Sequence, residues 1–63
     1  MKHIIFVEGL KTEEDKVRIE EELLNTRLNV FISLATESVT VEGSNDAVYT
    51  AKQAIQQAGY RIR

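Results

Sequence analysis

Cysteine, proline and tryptophan are absent from this 63-residue chain, and it has only three glycines. Without cysteine the chain can form neither a disulfide nor a thiolate metal site, so a domain this small depends on packing or self-association. A cysteine nucleophile is excluded, and no serine, histidine and acid form a convincing catalytic set. The scattered glycines form no phosphate-binding loop. We therefore predict that the protein is not an enzyme.

An excess of basic charge is also absent. Eight basic and ten acidic residues give a net charge of −2, and the basic residues are interleaved with acids. Nucleic-acid binding needs a basic stripe, which is missing here. No apolar run approaches the roughly 18 residues of a membrane span, and no signal-peptide pattern follows Met1. We expect one cytoplasmic domain over residues 1–63, with no nucleic-acid partner and no membrane insertion.

The apolar pattern predicts six elements in the order βαββαβ. Strands are expected at residues 4–7, 28–34, 39–41 and 60–63, and helices at 13–25 and 46–58. Thr12 is the predicted cap of the first helix, and the acids that follow it suit the positive end of the helix dipole. This order is the ferredoxin-like arrangement, so the fold class is α+β. It predicts a four-stranded antiparallel sheet with two helices on one face.

The first helix carries four apolar residues that do not form one narrow stripe. Ile19 and Leu23 lie together on a helical wheel, while Val17 and Leu24 lie together about 100–150° away. Either the helix buries a broad face, or one pair stays available to a partner. A core position for most of the four is the simpler interpretation.

Two motifs in this element order resemble the heavy-metal-associated domain, a family that includes copper chaperones and the N-terminal regions of metal-pumping ATPases. Residues 7–10, Val-Glu-Gly-Leu, resemble the start of the signature Val-x-Gly-Met-x-Cys-x-x-Cys, and Ile19-Glu20 with Leu23 resembles the helix that follows it. Residues 55–60 match the second signature, Ile-x-x-Ala-Gly-Tyr. The resemblance covers nearly the whole chain. It implies metal handling in the cytoplasm and docking onto similar domains.

The chain departs from that family at the metal ligands. Counted from Gly9, the two cysteine positions hold Thr12 and Asp15. A hydroxyl and a carboxylate cannot replace two thiolates for the soft ion Cu(I), so no copper cofactor is expected. In this ungapped alignment Lys16 occupies a position that is usually apolar. A one-residue insertion would place Val17 there but would move Glu20 into the core, so we prefer the ungapped alignment.

Carboxylates near the loop offer an alternative function. Glu13, Glu14 and Asp15 could bind a harder divalent cation weakly through oxygen, which would make the protein a metal-binding or transport protein. Acids in a first helical turn are also expected from the helix dipole alone, and consecutive side chains diverge by about 100°. His3, the only histidine, is interpreted as a surface residue before the first strand. Tyr60 is expected to pack against Leu10 and cover the end of the core.

The outer face of the sheet is the predicted interaction surface. If the other apolar strand residues face the helices, Ile4, Phe6 and Phe31 must face away. The strand order implied by the family places Thr40 between the two phenylalanines. Burying each large side chain could contribute about 1.5–3 kcal/mol, so we expect a homodimer or a partner protein on this face. The alternative is that Arg61 or Arg63 folds over the rings.

Overall fold

The protein is described by a computed structural model that covers residues 1–63. Its elements are β1 (Lys2–Glu8), α1 (Glu13–Leu24), β2 (Asn29–Ser33), β3 (Ser38–Glu42), α2 (Asn45–Gln57) and β4 (Arg61–Ile62). The strands form one antiparallel sheet in the order β2-β3-β1-β4. The two helices pack on each other and on the sheet. The predicted ferredoxin-like α+β fold is therefore confirmed.

Each helix forms over a run of residues that contains no helix breaker. Neither α1 nor α2 contains a glycine or proline, and each ends one residue before the predicted position. Gly59 follows α2 with a φ of +95°, a conformation that glycine adopts without steric cost. One strand prediction is wrong at its start. β1 begins at Lys2, so His3 lies inside the strand and not before it.

Eleven buried apolar residues form one core between the sheet and the helices. They are Ile5, Val7, Leu10, Ile19, Leu23, Ile32, Val39, Val41, Ala51, Ala54 and Ile55. Because strand side chains alternate, the apolar odd-numbered residues of β1 and β3 enter this core and the even-numbered ones face outward. Ser38 is an exception at the end of β3, where it is buried.

Helix α1 divides its four apolar residues into two pairs. Ile19 and Leu23 are buried, whereas Val17 and Leu24 are exposed. The simpler interpretation, a core position for most of the four, is therefore wrong, because the helix turns only the Ile19 side toward the sheet. Glu20 is exposed. This exposure agrees with the ungapped alignment, since a one-residue shift would have placed that carboxylate in the core.

Candidate functional site

The corner between β1 and α1 is closed by a reciprocal helix cap. Thr12 has extended backbone, and its Oγ1 accepts a hydrogen bond from the Asp15 backbone N–H at 3.1 Å. Asp15 Oδ2 in turn accepts from the Thr12 backbone N–H at 3.1 Å. The predicted cap is confirmed. The spacing Thr-x-x-Asp, a variant of the capping box, was the sequence signal for the return bond.

The Asp15 carboxylate accepts three further hydrogen bonds. Its Oδ2 accepts hydrogen bonds from Thr12 Oγ1 at 3.0 Å and from the Lys11 backbone N–H at 3.2 Å. Its Oδ1 accepts from the Tyr60 hydroxyl at 2.5 Å. These donors favour the ionised carboxylate, the Tyr60 hydroxyl most and the Lys11 N–H next, and they lower the pKa of Asp15 to about 2. The sequence predicted Tyr60 against Leu10, but it did not predict this bond to Asp15.

Tyr60 lies over the corner from the other end of the chain. Its ring is partly buried against the core that contains Leu10, and a Cβ added to Gly9 would lie 3.7 Å from Tyr60 Cδ2. Burial raises the pKa of the Tyr60 hydroxyl, and its hydrogen bond to Asp15 raises it further. Tyr60 therefore stays protonated and donates to the carboxylate at neutral pH.

The two positions that hold cysteine in the resembling family are close together here. Thr12 and Asp15 present hard oxygen atoms 3.0 Å apart, and a hydrogen bond already joins them. The other candidate carboxylates diverge, since Glu14 pairs with Arg18 at 3.1 Å and Glu13 is exposed. No three His, Cys, Asp or Glu side chains are grouped so that they could hold a metal ion. The donor set in this corner does not fit Cu(I), which prefers sulfur.

His3 has a specific contact at the far end of β1. Its ring Nε2 lies 3.1 Å from the carbonyl oxygen of Gly43, the residue that follows β3. The side chain is partly buried and is separated from the Thr12 corner by the length of the strand. This contact joins the ends of two paired strands, and the sequence alone did not predict it.

The outer face of the sheet carries a row of side chains across three strands. Phe31 of β2 lies opposite Thr40 of β3, and Thr40 lies opposite Ile4 of β1. Thr40 therefore lies between Phe31 and Ile4, not between the two phenylalanines, because Phe6 pairs with Ser38 one step along the ladder. The exposed fractions are 62% for Ile4, 46% for Phe6 and 68% for Phe31. A shallow depression of about 510 Å³ adjoins Ile4 and Phe31.

Residues of opposite charge flank this apolar row on neighbouring strands. Lys2 lies opposite Glu42 at one end of β1, and Glu8 lies opposite Arg61 at the other. Arg63 lies beside Phe6, because its backbone N–H donates to the Phe6 carbonyl at 2.8 Å. An arginine of β4 can therefore cover only the near side of the patch. Phe31 lies beyond both central strands and stays open.

A second apolar groove runs between α1 and β2. It has a volume of about 420 Å³ and is lined by Val17, Leu23, Leu24, Leu28 and Val30, with Glu20, Glu21 and Arg27 among its polar residues. The exposed pair Val17 and Leu24 thus forms part of a continuous surface. The sequence did not decide whether this pair is buried or available to a partner. It also did not predict that Leu28 and Val30 extend the surface to the edge of the sheet.

Comparisons with solved structures show which known domains this chain resembles. A CopZ metallochaperone superposes with a TM-score of 0.83 at 25% identity and full coverage of both chains. The N-terminal domain of ZntA in the apo-form gives 0.83 at 26% identity, covering 98% of this chain and 88% of that one. A heavy metal binding protein from Thermotoga maritima gives 0.86 at 20% identity, covering 100% and 92%, and shows the fold alone. No protein-family profile matches the chain, and no curated protein sequence matches it either.

These similarities confirm the resemblance to the heavy-metal-associated domain over the whole chain. The fold is that of a metallochaperone-like domain, and the cysteine pair of that family's signature is missing. Neither helix is long and apolar enough to cross a membrane.

Proposed function

We propose that this chain is a non-catalytic protein-interaction module of the cytoplasm, built on a metallochaperone-like domain with a degenerate metal site. It docks on a protein, or on a second copy of itself, through the outer face of its sheet. The single observation that carries this proposal is the exposure of Ile4, Phe6 and Phe31 on that face.

The composition of the face supports docking over simple exposure to solvent. Large apolar side chains lie at its centre, and oppositely charged residues lie across from each other at its margins, Lys2 from Glu42 and Glu8 from Arg61. An apolar centre with a polar rim is the usual composition of a protein interface. Removing Ile4 and Phe31 from water would contribute about 1.5–3 kcal/mol for each side chain that becomes fully buried.

The hydrogen bonds in the corner between β1 and α1 support the proposal that this domain has no thiolate metal site. Asp15 stands at the second cysteine position, and its carboxylate is engaged by Thr12, Lys11 and Tyr60. A cation bound at Glu13, Glu14 and Asp15 would have to displace these donors. No geometric observation favours this alternative of a harder cation over the docking function.

Sedimentation of purified protein over the micromolar range tests the self-association form of this proposal. We expect the wild type to be a dimer and Phe6→Ser/Phe31→Ser to be monomeric. Tyr49→Ser is the matched control, because Tyr49 is a similarly exposed aromatic residue on α2 and its loss leaves the sheet unchanged. Urea denaturation of each variant ensures that only folded proteins are compared.

A monomeric wild type would exclude a stable homodimer and leave the partner form. Affinity purification from the native cell extract would then use the same three proteins as baits. A partner that is lost with the double variant and kept with Tyr49→Ser supports the sheet face. If self-association or partner binding survives the double variant unchanged, the proposed surface is wrong.

A further inference from the structure

The sheet has one open edge that lacks the usual protection. β2 and β4 are the outer strands, and β4 has only two residues, one of them Arg61. β2 has five residues, and the segment from 28 to 36 contains no charged residue and no proline. Natural sheets blunt long edges with lysine, proline, bulges or very short strands, because an open edge can pair with another chain. β2 has none of these devices.

The alternation of hydrogen bonds between the strands shows which backbone N–H and C=O groups of β2 point away from the sheet. The Gly43 N–H donates to the Met1 carbonyl at 2.8 Å, and the Val7 N–H donates to the Glu37 carbonyl at 2.8 Å. In an antiparallel ladder hydrogen-bonded pairs alternate with non-bonded pairs. Odd-numbered residues of β3 therefore bond to β1, and even-numbered ones such as Thr40 bond to β2.

The same alternation applies to the pairing of β2 with β3. Asn29, Phe31 and Ser33 lie opposite even-numbered residues of β3, so their backbone groups point inward to that strand. Val30 and Ile32 consequently point their N–H and C=O groups outward, away from the sheet. These groups have no strand to bond, because β2 is the last strand.

Apolar side chains flank the open edge on both faces. Phe31 is exposed on the outer face. On the helix face, Val30 and Leu28 continue into the groove lined by Val17 and Leu24. A strand added beside β2 would therefore find backbone partners in its plane and apolar contacts above and below it.

We infer that β2 pairs antiparallel with β2 of a second copy of this chain, which joins the two sheets into one. This rests on the self-association form of the proposed function and assigns its contact to the β2 edge, with Phe31 as the residue of the outer face that the pairing covers. The two-fold axis passes beside Phe31, which faces the Phe31 of the second copy across a non-hydrogen-bonded pair. Val30 of each copy faces Ile32 of the other and exchanges both backbone hydrogen bonds with it.

This register pairs Val30 with Ile32, the two residues of β2 whose backbone groups point outward. Moving the axis to Val30 would pair Ile32 with Leu28, whose N–H is already bonded to Thr26 Oγ1 at 3.3 Å. Moving it to Ile32 would pair Val30 with Leu34, which lies outside β2 and whose carbonyl would have to accept a second bond beside the one from the Glu37 N–H at 3.3 Å. With the axis at Phe31, two aromatic rings face each other outside, and Val30 packs beside Ile32 inside.

Charge does not oppose the pairing of the two strands. The segment from 28 to 36 contains no charged residue, so pairing two copies of it brings no like charges together. The groove beside it is bordered by charges of both signs, Glu20, Glu21 and Arg27.

Amide hydrogen exchange measured by NMR at low and high protein concentration tests the inference. The Val30 and Ile32 amides should exchange roughly tenfold more slowly once about nine tenths of the chain is dimeric, because only the dissociated chain exposes them. The Asn29 and Phe31 amides are internal controls, since they bond to β3 in either state. Their exchange should not depend on concentration in the same way.

Two variants distinguish pairing through the β2 edge from association through the outer face of the sheet. Val30→Pro removes an outward N–H and no hydrogen bond to β3, so it should abolish the dimer while a folded sheet persists by circular dichroism. Phe6→Ser lies on β1, away from the edge, and should keep the concentration-dependent protection of Val30 and Ile32.

Three outcomes would overturn the edge pairing. A monomeric wild type excludes it, while the docking function survives as binding to a different protein. A dimer with fast Val30 and Ile32 exchange, abolished by Phe6→Ser, places the contact on the outer face alone. A dimer unaffected by a folded Val30→Pro excludes it as well.

Discussion

The hydroxyl of Tyr60 donates a hydrogen bond to the carboxylate of Asp15, which lies 45 positions earlier in the chain. The bond joins the first turn of α1 to the residue before β4. In the resembling family a pair of thiolates and a metal occupy this corner, and here a protonated phenol and an ionised acid stand near those positions.

Removing the Tyr60 hydroxyl should raise the pKa of Asp15. Tyr60→Phe deletes the donor that contributes most to the lowered pKa, so the value should rise from about 2 toward the ordinary 3.8. NMR titration of the carboxyl carbon measures this directly. Tyr49→Phe is the control, because that exposed tyrosine lies on α2, away from the corner. Equal Asp15 titration curves in wild type and Tyr60→Phe would contradict the bond.

The stability of the protein should fall at both extremes of pH through this pair. The pKa of Asp15 is lower in the folded state, so its contribution is complete above pH 3.8 and is lost as pH falls toward about 2. The pKa of Tyr60 is raised above 10.0, so its contribution is complete below that pH and is lost above it.

Urea midpoints measured across pH for wild type and Asp15→Asn test the acid limb. The wild type should be the more stable protein near neutrality, and the difference should shrink as pH falls from 3.8 toward about 2. A difference that stays constant over that interval would show that ionisation of Asp15 contributes nothing to folding.

The helix cap should be measurable by itself. Thr12→Ala removes the acceptor of the Asp15 N–H, and loss of such a cap costs about 0.5–2 kcal/mol in the free energy of unfolding. Thr50→Ala is the matched control, because Thr50 is exposed within α2 and lies away from a helix start. Its effect should stay within about 0.5 kcal/mol. Equal urea midpoints for Thr12→Ala and wild type would mean that the cap contributes nothing.

Copper binding should require cysteines that the natural chain lacks. The wild type, whose sole sulfur is in Met1, should lose a competition for Cu(I) against a chelator. Thr12→Cys/Asp15→Cys should gain tight one-to-one binding, because the Thr12 and Asp15 side-chain oxygens lie only 3.0 Å apart. Asp15→Cys alone supplies one thiolate and should bind far more weakly. Tight binding by the wild type would refute this assignment.

The fold could be predicted from the sequence because its signals were local and regular. Alternation in residues 28–34, the cap at Thr12 and Gly59 after the second helix each specify one element, and together they allow few arrangements. The exposure of Val17 and Leu24 could not be deduced, because helical spacing shows which residues share a face but not how wide a face the sheet covers. The position of Thr40 depends on strand register, which no single strand encodes.

The candidate site was predictable only in part for a related reason. Thr12 and Asp15 are three residues apart, so their contact follows from helix geometry. The bond from Tyr60 joins distant segments and depends on how α2 lies against the sheet. Likewise the open edge of β2 follows from the strand order, and the free groups of Val30 and Ile32 follow from the ladder phase.

The way the Thr12 corner is closed affects what the folding equilibrium of this domain depends on in a cell. A corner completed by a bound ion ties the folding equilibrium to the free concentration of that ion, because any ligand of the native state stabilises it by mass action. Here Asp15, Thr12 and Tyr60 complete the corner with hydrogen bonds within the chain. Chelation or starvation for metal would therefore leave the closure of this corner unchanged.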